Sequence, residues 1–317
     1  MITQKDEKYI EFLKTRISSN VKPEVAELMI KYALSPEEHA RVGKDVEEYC
    51  FAGKRPVENP KAYLVIGQTG GGKSTLTSLI LRNDPNTVVI DSDAFKAFNP
   101  QKDEITRLYP TLYGFLTGLD AYLHRDEVYS KALKEGYNIL IEVAPSTKEL
   151  LFNIDFEELR EHGYVAVANI LAACLENSLL SIHERYEGQL EAKMNSPKLT
   201  DLKRAIDSYN AVTLIIDELV KIDDVQANIF QRSPYSKTEQ NTQFIQPPSF
   251  VTDDKEFLLQ AYTEACDSDR EDMVEYVDER IKSINEQMQR RNAPSDQRAQ
   301  FAQIVELILN NLKEKKN

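Results

Sequence analysis

Apolar and polar positions recur along this chain with two different periods, and the switch between them marks out its elements. Ile10, Leu13 and Ile17 share one helical face, and Val25, Leu28, Met29 and Tyr32 share another. Residues 1–33 therefore read as two short amphipathic helices, broken at Asn20 and Pro23. Ser35-Pro36-Glu37-Glu38 is a capping-box start; Val42, Val46, Tyr49 and Cys50 line the helix it opens, and Gly53 stops it. Short, mainly apolar runs follow at 62–66, 87–90, 139–141 and 164–171, with a weaker one at 225–230. Helical patterns separate them: Leu76, Leu79 and Ile80; an aromatic-rich span with Tyr109, Tyr113, Phe115 and Tyr122 as far as Glu135; a stretch to Gly163; Leu179 to Tyr186; and Leu202 to Val220. Strands alternating with helices predict an α/β fold, a parallel sheet of about five strands with helices on both faces. In such sheets ligands bind beyond the C-terminal ends of the strands.

Past the last strand, Gln246-Pro247-Pro248-Ser249 reads as a linker. It divides the chain into an N-terminal helical extension (1–33), a core (34–245) and a C-terminal helical tail (249–317). Asp253-x-x-Glu256 would cap the first tail helix. Phe301, Ile304, Val305, Ile308, Leu309 and Leu312 form an apolar stripe on the last, fit either to dock on the core or other tail helices, or to bind a partner.

Composition narrows the picture. The net charge of −13 disfavours a protein that grips a nucleic-acid backbone, which needs a basic stripe. Cys50, Cys174 and Cys266 are odd in number and widely spaced, which fits buried thiols in a reducing compartment and neither disulfides nor zinc. With no apolar run of membrane-spanning length and no signal-peptide core after Met1, the expectation is a cytoplasmic protein without a membrane partner.

The strongest chemical signal is Gly67-Gln68-Thr69-Gly70-Gly71-Gly72-Lys73-Ser74-Thr75, a G-x-x-x-x-G-K-[ST] motif between the first strand and a helix. Glycines bare the backbone N–H groups so that they can wrap a nucleotide phosphate at the positive end of the helix. Lys73 would reach the β- and γ-phosphates, and the Ser74 hydroxyl would hold Mg²⁺. The next two strand ends carry Asp91, Asp93 and Glu142. Were the strand to continue, Asp91 and Asp93 would project to one side, one toward Mg²⁺ and the other toward an acceptor hydroxyl as its base; either alone could instead cap the next helix. Glu142 would bind a substrate hydroxyl or a metal-bound water at the same rim, or pair with a neighbouring Lys or Arg. Arg185 could neutralise charge on a transferring phosphoryl group, or serve only as a solvated helix partner of the glutamates beside it. His183 reads as packing. An enzyme with these groups competes with a nucleotide-gated switch that transfers nothing, against which Asp93 and Arg185 argue.

Taken in order, four blocks resemble the zeta-toxin family of P-loop kinases across roughly residues 35–235. They are residues 53–60 leading into the P-loop, Val89-Ile90-Asp91-Ser92-Asp93-Ala94-Phe95-Lys96, Gly136-Tyr137-Asn138-Ile139-Leu140-Ile141-Glu142, and residues 178–187 ending Glu184-Arg185-Tyr186-Glu187. The resemblance implies a P-loop kinase fold and an ATP- or GTP-dependent kinase that phosphorylates the sugar 3′-hydroxyl of UDP-N-acetylglucosamine. It implies a growth-inhibiting toxin held in check by an antitoxin. Lys73, Asp93 and Arg185 are then catalytic, Asp93, Glu142, Asp126 and Thr147 bind substrate, and Ser74 and Asp91 hold the metal. Antibiotic and polynucleotide 5′-hydroxyl kinases are the neighbouring alternatives. Two departures stand out. Val143-Ala144-Pro145-Ser146-Thr147 replaces the family's Gly-Thr turn, and only Lys198, Lys203 or Arg204 stands where a second lid arginine is expected. Residues 1–33 lie outside the resemblance, and are either a packed helix pair or a built-in inhibitor acting in place of a separate antitoxin.

Overall fold

The computed structural model describes residues 7–145, 154–194, 197–232 and 256–314. In chain order the elements begin with α1 (Glu7–Thr15), α2 (Pro23–Tyr32), α3 (Pro36–Phe51), β1 (Lys61–Ile66), α4 (Lys73–Asn83), β2 (Val88–Ile90) and α5 (Ser92–Phe95). They continue with α6 (Lys102–Leu108), α7 (Tyr113–Leu116), α8 (Gly118–Glu135), β3 (Ile139–Val143), α9 (Phe156–Glu161), β4 (Val165–Ala172) and α10 (Leu175–Glu191). The last are α11 (Leu202–Leu219), β5 (Val225–Gln231), α12 (Glu256–Val274), α13 (Val277–Arg290) and α14 (Ser295–Glu314).

The five strands form one sheet in the order β2-β3-β1-β4-β5. β1 runs parallel to β4, with Lys61 opposite Val165 and Ile66 opposite Ile170, and β4 runs parallel to β5. Leu64, Val65 and Ile66 of the middle strand are fully buried, which is why this strand is an unbroken apolar run with no polar alternation. Two strand ends differ from the sequence expectation. β2 stops at Ile90, because the Asp91 carboxylate accepts the Asp93 N–H at 2.8 Å and starts α5. β3 runs on through Glu142 to Val143, so Glu142 lies within a strand and not past its tip. The aromatic-rich span is broken into α6, α7 and α8.

By packing, the described residues fall into two units, Met1–Pro60 with Asn86–Ile139 and Lys61–Pro85 with Leu140–Asn317. In the first, Leu13, Met29 and Tyr32 of α1 and α2 are buried in one cluster with Ile105, Leu116 and Leu119. The N-terminal helix pair thus supplies core to its own unit. The predicted capping box is present: the Ser35 hydroxyl accepts from Glu38 N and the Glu38 carboxylate accepts from Ser35 N. Val42, Val46 and Cys50 are buried as expected, whereas Tyr49 is exposed and meets Phe98 edge-on.

In the second unit, Phe301, Ile304, Ile308 and Leu312 of α14 are buried together with Leu179, Leu180 and Ile182 of α10 and with Met273, Ile284 and Met288. The stripe docks on a core helix and on the other tail helices at once. The linker at 246–249 and the Asp253 cap lie outside the described residues. The three cysteines are buried free thiols, and no helix among the described residues is long and apolar enough to cross a membrane.

Candidate active site

β1 delivers the chain into a glycine turn whose shape is dictated from two sides. A Cβ on Gly67 would stand 3.1 Å from Leu171 Cβ of β4, and one on Gly70, at φ +80°, would be 2.4 Å from the Ser178 carbonyl oxygen. Only glycine fits at the second position, where steric room and backbone angle both exclude a side chain. Gln68 is fully buried; its Nε2 donates to the Ala173 carbonyl at 2.5 Å and to Ser178 Oγ at 3.0 Å. Thr69 N donates to Ser208 Oγ at 3.2 Å. The loop is thereby fastened to the start of α10 and to α11. α4 begins after Gly72 with no side-chain cap, which leaves its positive end to an anion. This uncapped, glycine-walled turn fits a nucleotide phosphate. Ser74, exposed in the first turn of α4, is the residue that would hold Mg²⁺.

Three charged side chains of the same unit share this neighbourhood. Lys73 Nζ donates to the Gly67 and Gln68 carbonyls at 2.9 and 3.1 Å. Burial brings its pKa down to about 8; the Glu142 charge acts to raise it and the Arg185 charge to lower it further. Glu142 accepts a hydrogen bond from Thr77 Oγ1, on α4, at 2.6 Å. Arg185 reaches the surface from α10, yet the protein around it strips enough water to lower its pKa. Two cations and one acid beside an anion cradle can bind polyphosphate and compensate charge on a group in transfer.

Other predicted residues have different surroundings. In the first unit, Asp93 pairs with Lys96 at 2.5 Å, and Asp91 caps α5. Asp126, half-exposed on α8, pairs with Arg125 at 2.6 Å and with Arg16 at 3.8 Å. Thr147 and Ser146 lie outside the described residues. Of the residues considered for the second lid cation, Lys203 pairs with Asp207 in solvent, while the Lys198 and Arg204 backbone N–H groups bond to Gln189 and Asp201. His183 is packing, buried against Phe301 with its pKa pushed down by burial to about 4.

Sequence reasoning missed Thr77 as the partner of Glu142 and Gln68 as the tie between loop and α10. The motif leaves Gln68 as an unspecified position, and Thr77, four residues past Lys73, carries no signal of its own. It also missed a histidine pair in the first unit. His39 of α3 and His124 of α8 stack at 3.9 Å and 10°, each facing its own oxygen of Glu127 at 3.0 and 3.1 Å. Their three ligand atoms lie within 4.8 Å of one another. A metal lies in the plane of each imidazole that ligates it, and two parallel planes share no point, so hydrogen bonding accounts for this cluster.

The family model for Zeta toxin matches residues 47–243. Toxin zeta of Streptococcus pyogenes is 33% identical over 150 residues, 46% of this chain and 51% of that protein. The chain thus spans about half the length of that relative. Toxin PezT of Streptococcus pneumoniae serotype 4 (strain ATCC BAA-334 / TIGR4) is 26% identical over 194 residues, 60% of this chain and 76% of that protein. Among solved structures, one from the PezAT chromosomal toxin-antitoxin system of Streptococcus pneumoniae superposes with a TM-score of 0.61 at 19% identity. It covers 80% of this chain and 98% of its own, and at that identity it speaks to the fold.

Proposed function

The chain belongs to the zeta-toxin family, and from that premise we propose that it is a kinase moving the γ-phosphoryl group of ATP or GTP to the 3′-hydroxyl of UDP-N-acetylglucosamine. It would act as a growth-inhibiting toxin, with an antitoxin protein as its partner. The observation that carries this reading is the sharing of one electrostatic neighbourhood by Lys73 of the phosphate loop, Glu142 and Arg185. A passive nucleotide switch has no use for an acid and a second cation there.

In the proposed reaction a bond forms between the acceptor oxygen and the γ-phosphorus, and the bond from that phosphorus to the β–γ bridging oxygen breaks. The acceptor hydroxyl loses its proton to the Asp93 carboxylate, a role assigned by the family resemblance of residues 89–96. Lys73 and the loop N–H groups hold the β- and γ-phosphates. Arg185 balances charge on the group in transfer, and its delocalised guanidinium suits that task at any ordinary pH. Glu142, oriented by Thr77, contacts the sugar nucleotide, with Asp126 and Thr147 completing the substrate set. Mg²⁺ held by Ser74 and Asp91 would, when bound, neutralise phosphate charge.

The test is phosphate transfer from Mg-ATP or Mg-GTP to a panel of UDP-sugars, chloramphenicol and 5′-hydroxyl oligonucleotides. Transfer to UDP-N-acetylglucosamine is expected, and Asp93→Asn should lower turnover about 10²- to 10⁴-fold with nucleotide binding nearly intact. Transfer to another member of the panel would replace the acceptor. Full turnover by Asp93→Asn would remove that residue from its role.

A further inference from the structure

The residues beyond 255 lie outside the matched family segment, yet three of their arginines take hold of α10, the helix that carries Arg185. Resting on the kinase reading, we infer that Arg280 is a positioning residue for Arg185, and that the three tail helices set the register of α10 against the phosphate loop.

Each of three glutamates on α10 meets its own arginine from the tail. Arg270 Nε donates to Glu176 at 3.1 Å, and Arg291 donates through Nε and Nη2 to Glu187 at 2.6 and 2.8 Å. Arg280 is the central tie. Its guanidinium grips Glu184, the residue next to Arg185, through Nε and Nη2 at 2.8 and 2.7 Å. It also donates to Asn177 Oδ1 at 2.6 Å and to Ser181 Oγ at 3.0 Å. These acceptors sit on successive turns of α10, so one rigid fork fixes both the rotation and the axial position of the helix. At the helix start, Asp269 accepts from Cys174 N and from Asn177 Nδ2, both at 2.7 Å.

Burying Arg280 almost completely is costly for stability alone, because apolar side chains would fill the same space without desolvating a charge. What directional bonds add to the apolar packing of α14 on α10 is a unique register. That register matters at the other end of the contact. Ser178 of α10 receives the Gln68 side chain, and its carbonyl is the atom a Cβ at Gly70 would strike. With Ser178 held to the loop as a fixed point, an α10 loosened farther along would carry Arg185 away from Lys73.

The experiment uses the full chain with Arg280→Gln and Arg280→Lys, each alone and combined with Arg185→Ala. Arg280→Gln should lower kcat about 10- to 100-fold with nucleotide KM nearly unchanged, and Arg280→Lys, which keeps charge but loses the fork, should fall between it and wild type. In the Arg185→Ala background neither should cause further loss, since both act through the same group. Multiplying losses, or an unchanged kcat in a folded Arg280→Gln protein, would overturn the inference. Should Arg280→Gln fail to fold, Glu184→Gln carries the same expectations. If wild-type protein phosphorylates no acceptor, the kinase reading fails, while the clamp is still decided by hydrogen exchange. Arg280→Gln must then speed exchange of the α10 amides, and unchanged protection refutes it.

Discussion

At Lys73 an ammonium is held among backbone carbonyls in surroundings that bring its pKa down from 10.5 to about 8. Burial is the main cause, and it makes the charged form unfavourable in the folded, nucleotide-free protein. A lowered lysine pKa destabilises fully below about pH 8, and the penalty fades as pH rises from there toward 10.5. Lys73→Met removes it. The nucleotide-free variant should be more stable than wild type at pH 7, on the order of 1 kcal/mol after allowing for partial exposure and the two lost hydrogen bonds. Calorimetry should give the higher Tm to the variant at pH 7 and a shrinking difference above pH 8, while transfer is abolished. A lower Tm for Lys73→Met at pH 7 would contradict the assignment. The same residue makes nucleotide affinity fall as pH rises through 8, because a neutral amine no longer attracts phosphate.

Between elements, α3 and α8 are joined through His39, His124, Glu127 and Asp120. Burial alone would lower the His39 pKa, but the Asp120 carboxylate 3.7 Å away and the hydrogen bond to Glu127 outweigh that and raise it to about 9. Bonds from His124 and His39 bring Glu127 down to about 2. The His39 contribution is complete below about pH 6.5 and is lost as pH rises through 9. The Glu127 contribution is complete above about pH 4.5 and is lost as pH falls through 2. Urea midpoints should therefore be highest near pH 5 to 6 and decline toward pH 9. His39→Gln should flatten the alkaline decline, and an unchanged slope would assign it elsewhere. Elements built from neighbouring residues were the ones legible in the sequence. The Ser35 cap, the glycine loop between β1 and α4, and the apolar stripe of α14 each announce themselves within a few positions. Asp91 and Asp93 were harder, since alternation assumes a continuing strand and one Asx hydrogen bond ended it. Arg270, Arg280 and Arg291 were illegible. In their own stretches of sequence they look like ordinary surface charges, and only the fold sets them against Glu176, Glu184 and Glu187.

For the molecule as a whole, the helix pair at the N-terminus contributes Leu13, Met29 and Tyr32 to a core shared with Ile105, Leu116 and Leu119. Deleting residues 1–33 would expose that cluster and cost about 5 kcal/mol, at the usual value for burying three large side chains. The expected outcome is a markedly lower Tm and rapid proteolysis, without a gain in activity. A stable deletion protein with raised toxicity would instead favour the built-in inhibitor.

The pairing of β1 with β4 also has a consequence for biosynthesis. Lys61 lies opposite Val165, so about 100 residues must be translated before the strand that leads into the phosphate loop has β4 beside it. The contacts of Gln68 with Ala173 and Ser178 come later still. A nascent chain on the ribosome therefore has no finished nucleotide cradle until more than half of it has emerged. For a protein proposed to arrest growth, products that end before that point carry an unfinished cradle.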